Sequence, residues 1–347
     1  MQPEFRLPPY DAEPIAASAL SEVTDWSINF LGIPELWKQS QGEGVVVAVL
    51  DTGCDTSHPD LAGAILEAAD FSRSLFGPKD RQGHGTWCLG MIGARANDIG
   101  VRGIAPQCMM LSGKVLGDNG SGSEADILRG IQWADSKGAH IISMSLGGPS
   151  MSEALHDAIK AFVAKPHRFV ICAAGNDGGA DSVNFPAKWE ETVAVAAVDE
   201  NGVLTSFSSR GREVDIAAPG ANMLSTVPMG AGGYAKMSGT SMATPVVAGI
   251  AAVCLSKHLK AGAGATGLES FTDLLQHLRK TAKDAGPIGP DTGYGYGIID
   301  PAKLLDAITV TPPVLPTLEG PEGVVIFAKD GTGQLWKSGK ISWERAA

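Results

Sequence analysis

Short apolar runs alternate with helical patterns along most of this chain, and that alternation constrains the fold more than any other feature. Candidate strands are residues 45–50 (VVVAVL), 109–116, 140–145, 169–174, 192–198 and 214–217. Between them, residues 123–138 (SEADILRGIQWADSKG) open on a Ser/Asp capping pattern, align Ile127, Ile131 and Ala134 on one face and stop at Gly138. Residues 151–165 put Leu155, Ile159, Phe162 and Val163 on one side, with Ser152 as the cap. Such alternation predicts an α/β fold with a doubly wound, mainly parallel sheet, helices on both faces and three layers.

At 347 residues and 44% hydrophobic content the chain can bury one large core. Its ends differ from this body. Residues 1–20 are proline-rich and polar, and residues 309–321 (TVTPPVLPTLEGP) read as an extended linker. The expected organisation is an N-terminal leader over 1–20, a body over 21–308, and a linker with a short extension over 309–347. Within the extension, residues 323–343 carry two strand-like runs around a Lys-Asp-Gly-Thr-Gly turn.

The 27 basic and 38 acidic residues leave a net charge of -11, which argues against a nucleic-acid or anionic-membrane partner. The longest apolar runs, 44–50 and 246–255, fall short of the ~20 residues of a membrane span, so a soluble protein is expected. Residues 1–20 lack the apolar segment of a secretion signal, which predicts no export. Cys54, Cys88, Cys108, Cys172 and Cys254 are odd in number and widely spaced, the pattern of free thiols in the cytoplasm.

Four positions could carry chemistry. Asp51 ends the run VVVAVL at a strand tip, where α/β sheets place their sites, although Asp before Gly is also a plain cap. His84 stands between two glycines at the head of an apolar helical stretch, a position that a structural histidine also fills. Asn176 follows the run FVICAA and could aim its amide at an external oxygen or simply form a turn. Ser241 lies in the uncharged stretch SGTSMATP at a helix start, where unpaired N–H groups favour negative charge; Pro245 is expected near the first turn. Together, an acid, an imidazole, an amide and a hydroxyl are what acyl transfer requires: an activated nucleophile, an orienter for its base, and oxyanion donors.

In that order, VAVLDTG, GHGT, SMSLGGPS, AAGN and SGTSMATP resemble the signature segments of subtilisin-like serine proteases, across roughly residues 23–307. The resemblance implies a subtilisin-like fold and a serine endopeptidase. Ser241 would attack the scissile carbonyl, His84 would carry the proton, and Asp51 would orient the imidazole. Asn176 and the Ser241 N–H would hold the oxyanion. A protein or peptide substrate would lie as an added strand between Gly120-Ser121-Gly122 and Ser145-Leu146-Gly147.

The same resemblance implies a structural calcium ion held by the Asp60 carboxylate, the Asn97 amide and the carbonyls of Arg95, Ile99 and Val101. The family's further ligand near the N-terminus has no clear counterpart around Ser21 and Glu22. The stretch EFRLPPYDAEPI resembles the prosegment of intracellular subtilisins. By that likeness Leu7, Pro8, Pro9 and Tyr10 would inhibit in cis by lying across the cleft, with the prolines bending a carbonyl past Ser241. Release would need a cut near residues 17–20. Those relatives also imply a homodimer. Two alternatives on the same fold are a peptide-processing transferase and a catalytically silent peptide-binding module.

Overall fold

The structure, a computed structural model, describes residues 4–16, 21–262 and 265–310, with short strands at 327–329, 335–338 and 343–345. Of the linker expected over 309–321, residues 309–310 form a short strand paired with residues 265–266; the rest of it and the cut expected at 17–20 lie outside the described residues.

The chain opens with two strands that stand apart from the main sheet, β1 (Glu4–Arg6) and β2 (Asp11–Ala16). There follow β3 (Val46–Asp51), β4 (Ile65–Asp70), β5 (Met109–Lys114), the short β6 (Ser121–Ser123), β7 (Ile141–Met144), β8 (Phe169–Ala173), β9 (Val193–Val198) and β10 (Ile216–Pro219). All of these from β3 onward except β6 form one parallel sheet in the order β10-β9-β8-β7-β3-β5-β4. The helices are α1 (Trp26–Phe30), α2 (Ile33–Trp37), α3 (His84–Gly93), α4 (Glu124–Ser136), α5 (Glu153–Val163), α6 (Thr240–Ala261), α7 (Phe271–Thr281) and α8 (Pro301–Asp306).

Period-2 alternation sorts β3 between two cores. Val47 and Val49 join the core built around α3 and α6, whereas Ala48 and Leu50 join the one beneath α4 and α5. Three layers result, as expected. The strand order reverses on either side of β3, so the crevice beyond its C-terminal end is where an α/β sheet binds its ligands.

The expected strands recur within a residue or two, but the pattern gave no sign of β4, the edge strand, whose exposed Leu66 and Glu67 break the apolar signal. Ser123 and Asp126 form a reciprocal capping box at α4. Ser152 does occupy the N-cap of α5, yet its side chain makes no capping bond. All five cysteines are free and buried. A three-stranded antiparallel sheet spans the short strands of the C-terminal extension.

Two expectations about α6 need correction. Counting uninterrupted apolar runs missed that Thr240–Ala261 is long and apolar enough to cross a membrane; 89% of its most apolar window is packed inside the protein. Pro245 is also the sixth residue of α6, beyond the first turn. Its missing N–H deprives the Ser241 carbonyl, four residues back, of its helical partner. The Ser145 hydroxyl donates to that carbonyl instead, at 2.9 Å.

A smaller antiparallel sheet flanks this region. It comprises β11 (Met223–Thr226) and β12 (Gly233–Ser238), with β2 added to the free edge of β12.

Candidate active site

β3 delivers Asp51 to the crevice, and α3 begins with His84 directly across from it. His84 Nδ1 lies 2.8 and 3.0 Å from the two Asp51 carboxylate oxygens, with both side chains buried. The approach needs glycine, because a Cβ on Gly85 would come within 2.3 Å of the Gly53 carbonyl. Burial alone would lower the His84 pKa, but the Asp51 charge and its hydrogen bond more than reverse this and hold it well above the ordinary value.

Asp80, which the sequence pattern does not reveal, ties these parts together. One of its oxygens accepts from the Thr52 hydroxyl and the N–H groups of Gln82 and Gly83; the other accepts from the N–H and hydroxyl of Thr86. Thr52 in turn accepts from the Gly85 N–H at 2.9 Å. The residue after Asp51 and the turn carrying His84 thereby share one buried carboxylate. Lys114, equally silent in the sequence and fully buried, donates to the Thr52 carbonyl at 2.5 Å and pairs with Asp118 at 3.0 Å.

The start of α6 brings Ser241 to the same cleft. Cys88, one turn past His84, has its sulfur 3.8 Å from both His84 Nδ1 and the Ser241 carbonyl. Asp51, His84 and Cys88 cluster closely enough to share a metal ion, yet burial pushes the Cys88 thiol up and keeps it protonated. Asn176 follows β8, and Thr240 fixes its orientation: the N–H and hydroxyl of Thr240 donate to Asn176 Oδ1 at 2.9 and 2.8 Å. Only the Nδ2 donor is left to face outward.

The cleft holds residues 4–10 of the same chain. β1 pairs antiparallel with β6, and Arg6 exchanges both backbone hydrogen bonds with Gly147 on the opposite side. Leu7 N–H donates to Gly120 O, so Gly120, Ser121, Gly122 and Gly147 all border the segment, beside the buried Leu146. Phe5 is fully buried, with its ring where a Cβ on Gly148 would lie. The alternation of Phe5 and Leu7 is the sequence signal that could have extended the inhibitory segment beyond Leu7–Tyr10.

Two residues beyond Arg6, the ladder calls for a donor to the Ser145 carbonyl, and Pro8 has none. The Ser241 hydroxyl donates to that carbonyl instead, at 3.3 Å, while buried His84 Nε2 has no hydrogen-bond partner among the described residues. Tyr10 packs its ring on the imidazole at 5.0 Å and its hydroxyl accepts from Gln82. The Pro9 carbonyl accepts from Asn176 Nδ2 at 2.7 Å. A carbonyl of residues 4–10 thus reaches the Asn176 amide, while the Ser241 hydroxyl is bonded to Ser145 O.

Asp60 and the loop over 95–101 meet directly, the Arg95 N–H donating to the Asp60 carbonyl at 2.8 Å. Asp60 is fully buried; its Oδ2 accepts from the Val101 N–H at 2.8 Å, and its Oδ1 has no hydrogen-bond partner among the described residues. Burial pushes this carboxyl above its ordinary range. The Arg95 guanidinium points away, donating to the carbonyls of Pro106, Cys108 and Gly63. Glu22, for which no role was clear, accepts from the Asn97 N–H at 2.9 Å, and the neighbouring Ser21 and Val23 form single bridges to Ile99 and Val101 of the same loop.

A carboxylate, an imidazole and a serine hydroxyl gathered in one cleft, with an amide donor beside them, are the groups that a serine hydrolase employs. The chain belongs to the subtilase family, whose sequence profile matches residues 42–297. It is 44% identical over 240 residues to an intracellular serine protease of Paenibacillus polymyxa, covering 67% of this chain and 72% of that protein. It is 41% identical over 268 residues to the major intracellular serine protease of Bacillus subtilis, covering 74% and 82%. Subtilisin Savinase of Lederbergia lenta is 39% identical over 276 residues, covering 79% and 96%. The protein is a serine endopeptidase of this family.

Proposed function

We propose that the protein is an intracellular endopeptidase made as a self-inhibited precursor, hydrolysing proteins and peptides through Asp51, His84 and Ser241. Ser241 Oγ attacks the scissile carbonyl while His84 Nε2 takes its proton. Asp51, through Nδ1, holds the tautomer and stabilises the imidazolium, and Asn176 Nδ2 with the Ser241 N–H receives the oxyanion. His84 then returns the proton to the leaving amine, and water repeats the sequence on the acyl-enzyme. The observation that carries this reading is the hydrogen bond from Asn176 to the Pro9 carbonyl, since a peptide carbonyl already rests on the donor meant for the oxyanion. The names of the Paenibacillus and Bacillus relatives favour an intracellular, cytoplasmic setting.

In the precursor, residues 4–10 fill the substrate groove, and Pro8 leaves Ser145 O free to hold the Ser241 hydroxyl away from its base. Tyr10 covers the imidazole. The anchor of this arrangement is Phe5. Truncating so buried a phenylalanine costs ~3 kcal/mol, on the order of a hundredfold in docking. Full-length Phe5→Ala should therefore begin near its final rate, whereas the parent shows a lag that ends when the leader is cut. Identical progress curves for the two would contradict the inhibitory role.

Calcium fits the Asp60 site by the chemistry of its donors. A buried, unpaired Asp60 carboxylate oxygen, with the Asn97 amide and the backbone carbonyls of Arg95, Ile99 and Val101 offered by the loop bonded to Asp60, would make an all-oxygen set suited to a hard cation. Bound there, calcium would neutralise the Asp60 charge and pin the 95–101 loop. At a hundred times its dissociation constant it should stabilise the fold by ~2.7 kcal/mol. Chelation should accordingly lower Tm by several degrees in the parent and leave Asp60→Asn unchanged, as read by calorimetry. An equal Tm with and without chelator would exclude the site.

A further inference from the structure

Beyond Tyr10, the leader does not leave the protein surface. All six residues of β2 pair antiparallel with β12, from Asp11 opposite Ser238 to Ala16 opposite Gly233. Among the described residues β12 is otherwise bonded only to β11, so without β2 it presents a row of unpaired N–H and C=O groups, the kind of edge to which an extended chain adds as a strand. This edge starts at Ser238, three residues before Ser241, and runs away from the cleft.

The direction assigns its use. With the Pro9 carbonyl on Asn176, Tyr10 is the first residue past the carbonyl and β2 holds the second to the seventh. In a bound substrate those positions belong to the leaving-group side of the cleaved bond. Cross-strand neighbours share a face, which puts Glu13, the fourth residue, opposite Lys236 and Ile15, the sixth, opposite Tyr234. Ile15 packs on the small apolar cluster of Ala94, Val101 and Tyr234. Ala12, Glu13 and Pro14 stay exposed and Ile15 is half-buried, so on this edge the apolar contact lies at position six, and position four sets opposite charges across the ladder.

We propose that the free edge of β12, Gly233–Ser238, is a binding track for the leaving-group side of an extended polypeptide substrate. Lys236 selects an acidic residue at the fourth position past the cleaved bond, and Tyr234 with Ala94 and Val101 selects an aliphatic residue at the sixth. The proposal rests on the reading that the leader occupies the cleft as a substrate would. It makes unfolded protein segments the preferred substrates, because short peptides end before they reach the track.

The test uses the full-length protein, after its rate has become constant, and internally quenched peptides identical up to the cleaved bond. Two residues or eight residues follow that bond, and mass spectrometry of the products fixes the cleavage position. The longer peptide should show kcat/KM at least about tenfold higher, mostly through KM. Within the longer series, Glu→Lys at the fourth position should lower kcat/KM about threefold in the parent and raise it in Lys236→Glu. Equal values for the two lengths, or the same Glu-to-Lys ratio in both enzymes, overturns the proposal. Failure of self-inhibition is read separately, as a progress curve without a lag.

Discussion

Ser241→Ala should lower kcat by about a millionfold while the protein stays folded, the scale measured on subtilisin, itself a member of this family. The geometry explains why so large a loss can be confined to chemistry. The Ser241 hydroxyl makes one long hydrogen bond, to Ser145 O at 3.3 Å, whereas its backbone carbonyl and helix carry the packing at the head of α6. Removing the oxygen deletes the nucleophile and little else. Tm of the variant should stay within a few degrees of the parent, and a fall in activity that tracked unfolding would show Ser241 to be structural.

Asn176→Leu should cost a further class of activity, about 100- to 1,000-fold in kcat with KM little changed, again on the scale known for subtilisin itself. The substitution deletes a donor whose direction is set by two bonds from Thr240 to the Asn176 oxygen. It carries a second consequence, because the same donor holds the Pro9 carbonyl of the leader. The variant should therefore start closer to its own final rate than the parent does, even as that final rate falls. A purely structural asparagine would not shorten the lag and depress turnover together.

Much of this site was legible because strand tips and helix starts announce themselves. VVVAVL ending in Asp51, FVICAA leading to Asn176, and an uncharged turn before an apolar helix at Ser241 each combine a periodicity with a residue of the right chemistry. The supporting residues carry no such signal. Asp80 gathers partners on a short loop and a helix turn, Thr240 works only because Asn176 lies across from it, and Lys114 reads as a strand-end lysine until burial places it on Thr52. Their roles come from tertiary approach, which spacing along the chain does not encode.

The leader shows the same boundary. Phe5 and Leu7 alternate as a strand should, but DAEPIA contains Pro14, which argues against a strand. It is one nevertheless because it sits at the edge of its sheet, where only one side of the backbone needs donors. The direction of the Ser241 hydroxyl was likewise out of reach, since it depends on the missing N–H of Pro8 in a ladder that sequence alone does not register.

In the proposed mechanism Ser241 is a nucleophile activated by His84 and withheld by the leader. A fluorophosphonate probe, followed by peptide mapping at successive times, tests it most directly. The expected result is a single adduct on Ser241, slow at first and faster once residues 4–16 are lost from the intact mass. An adduct on another residue, or labelling of Ser241 at full speed with the leader still attached, would contradict it.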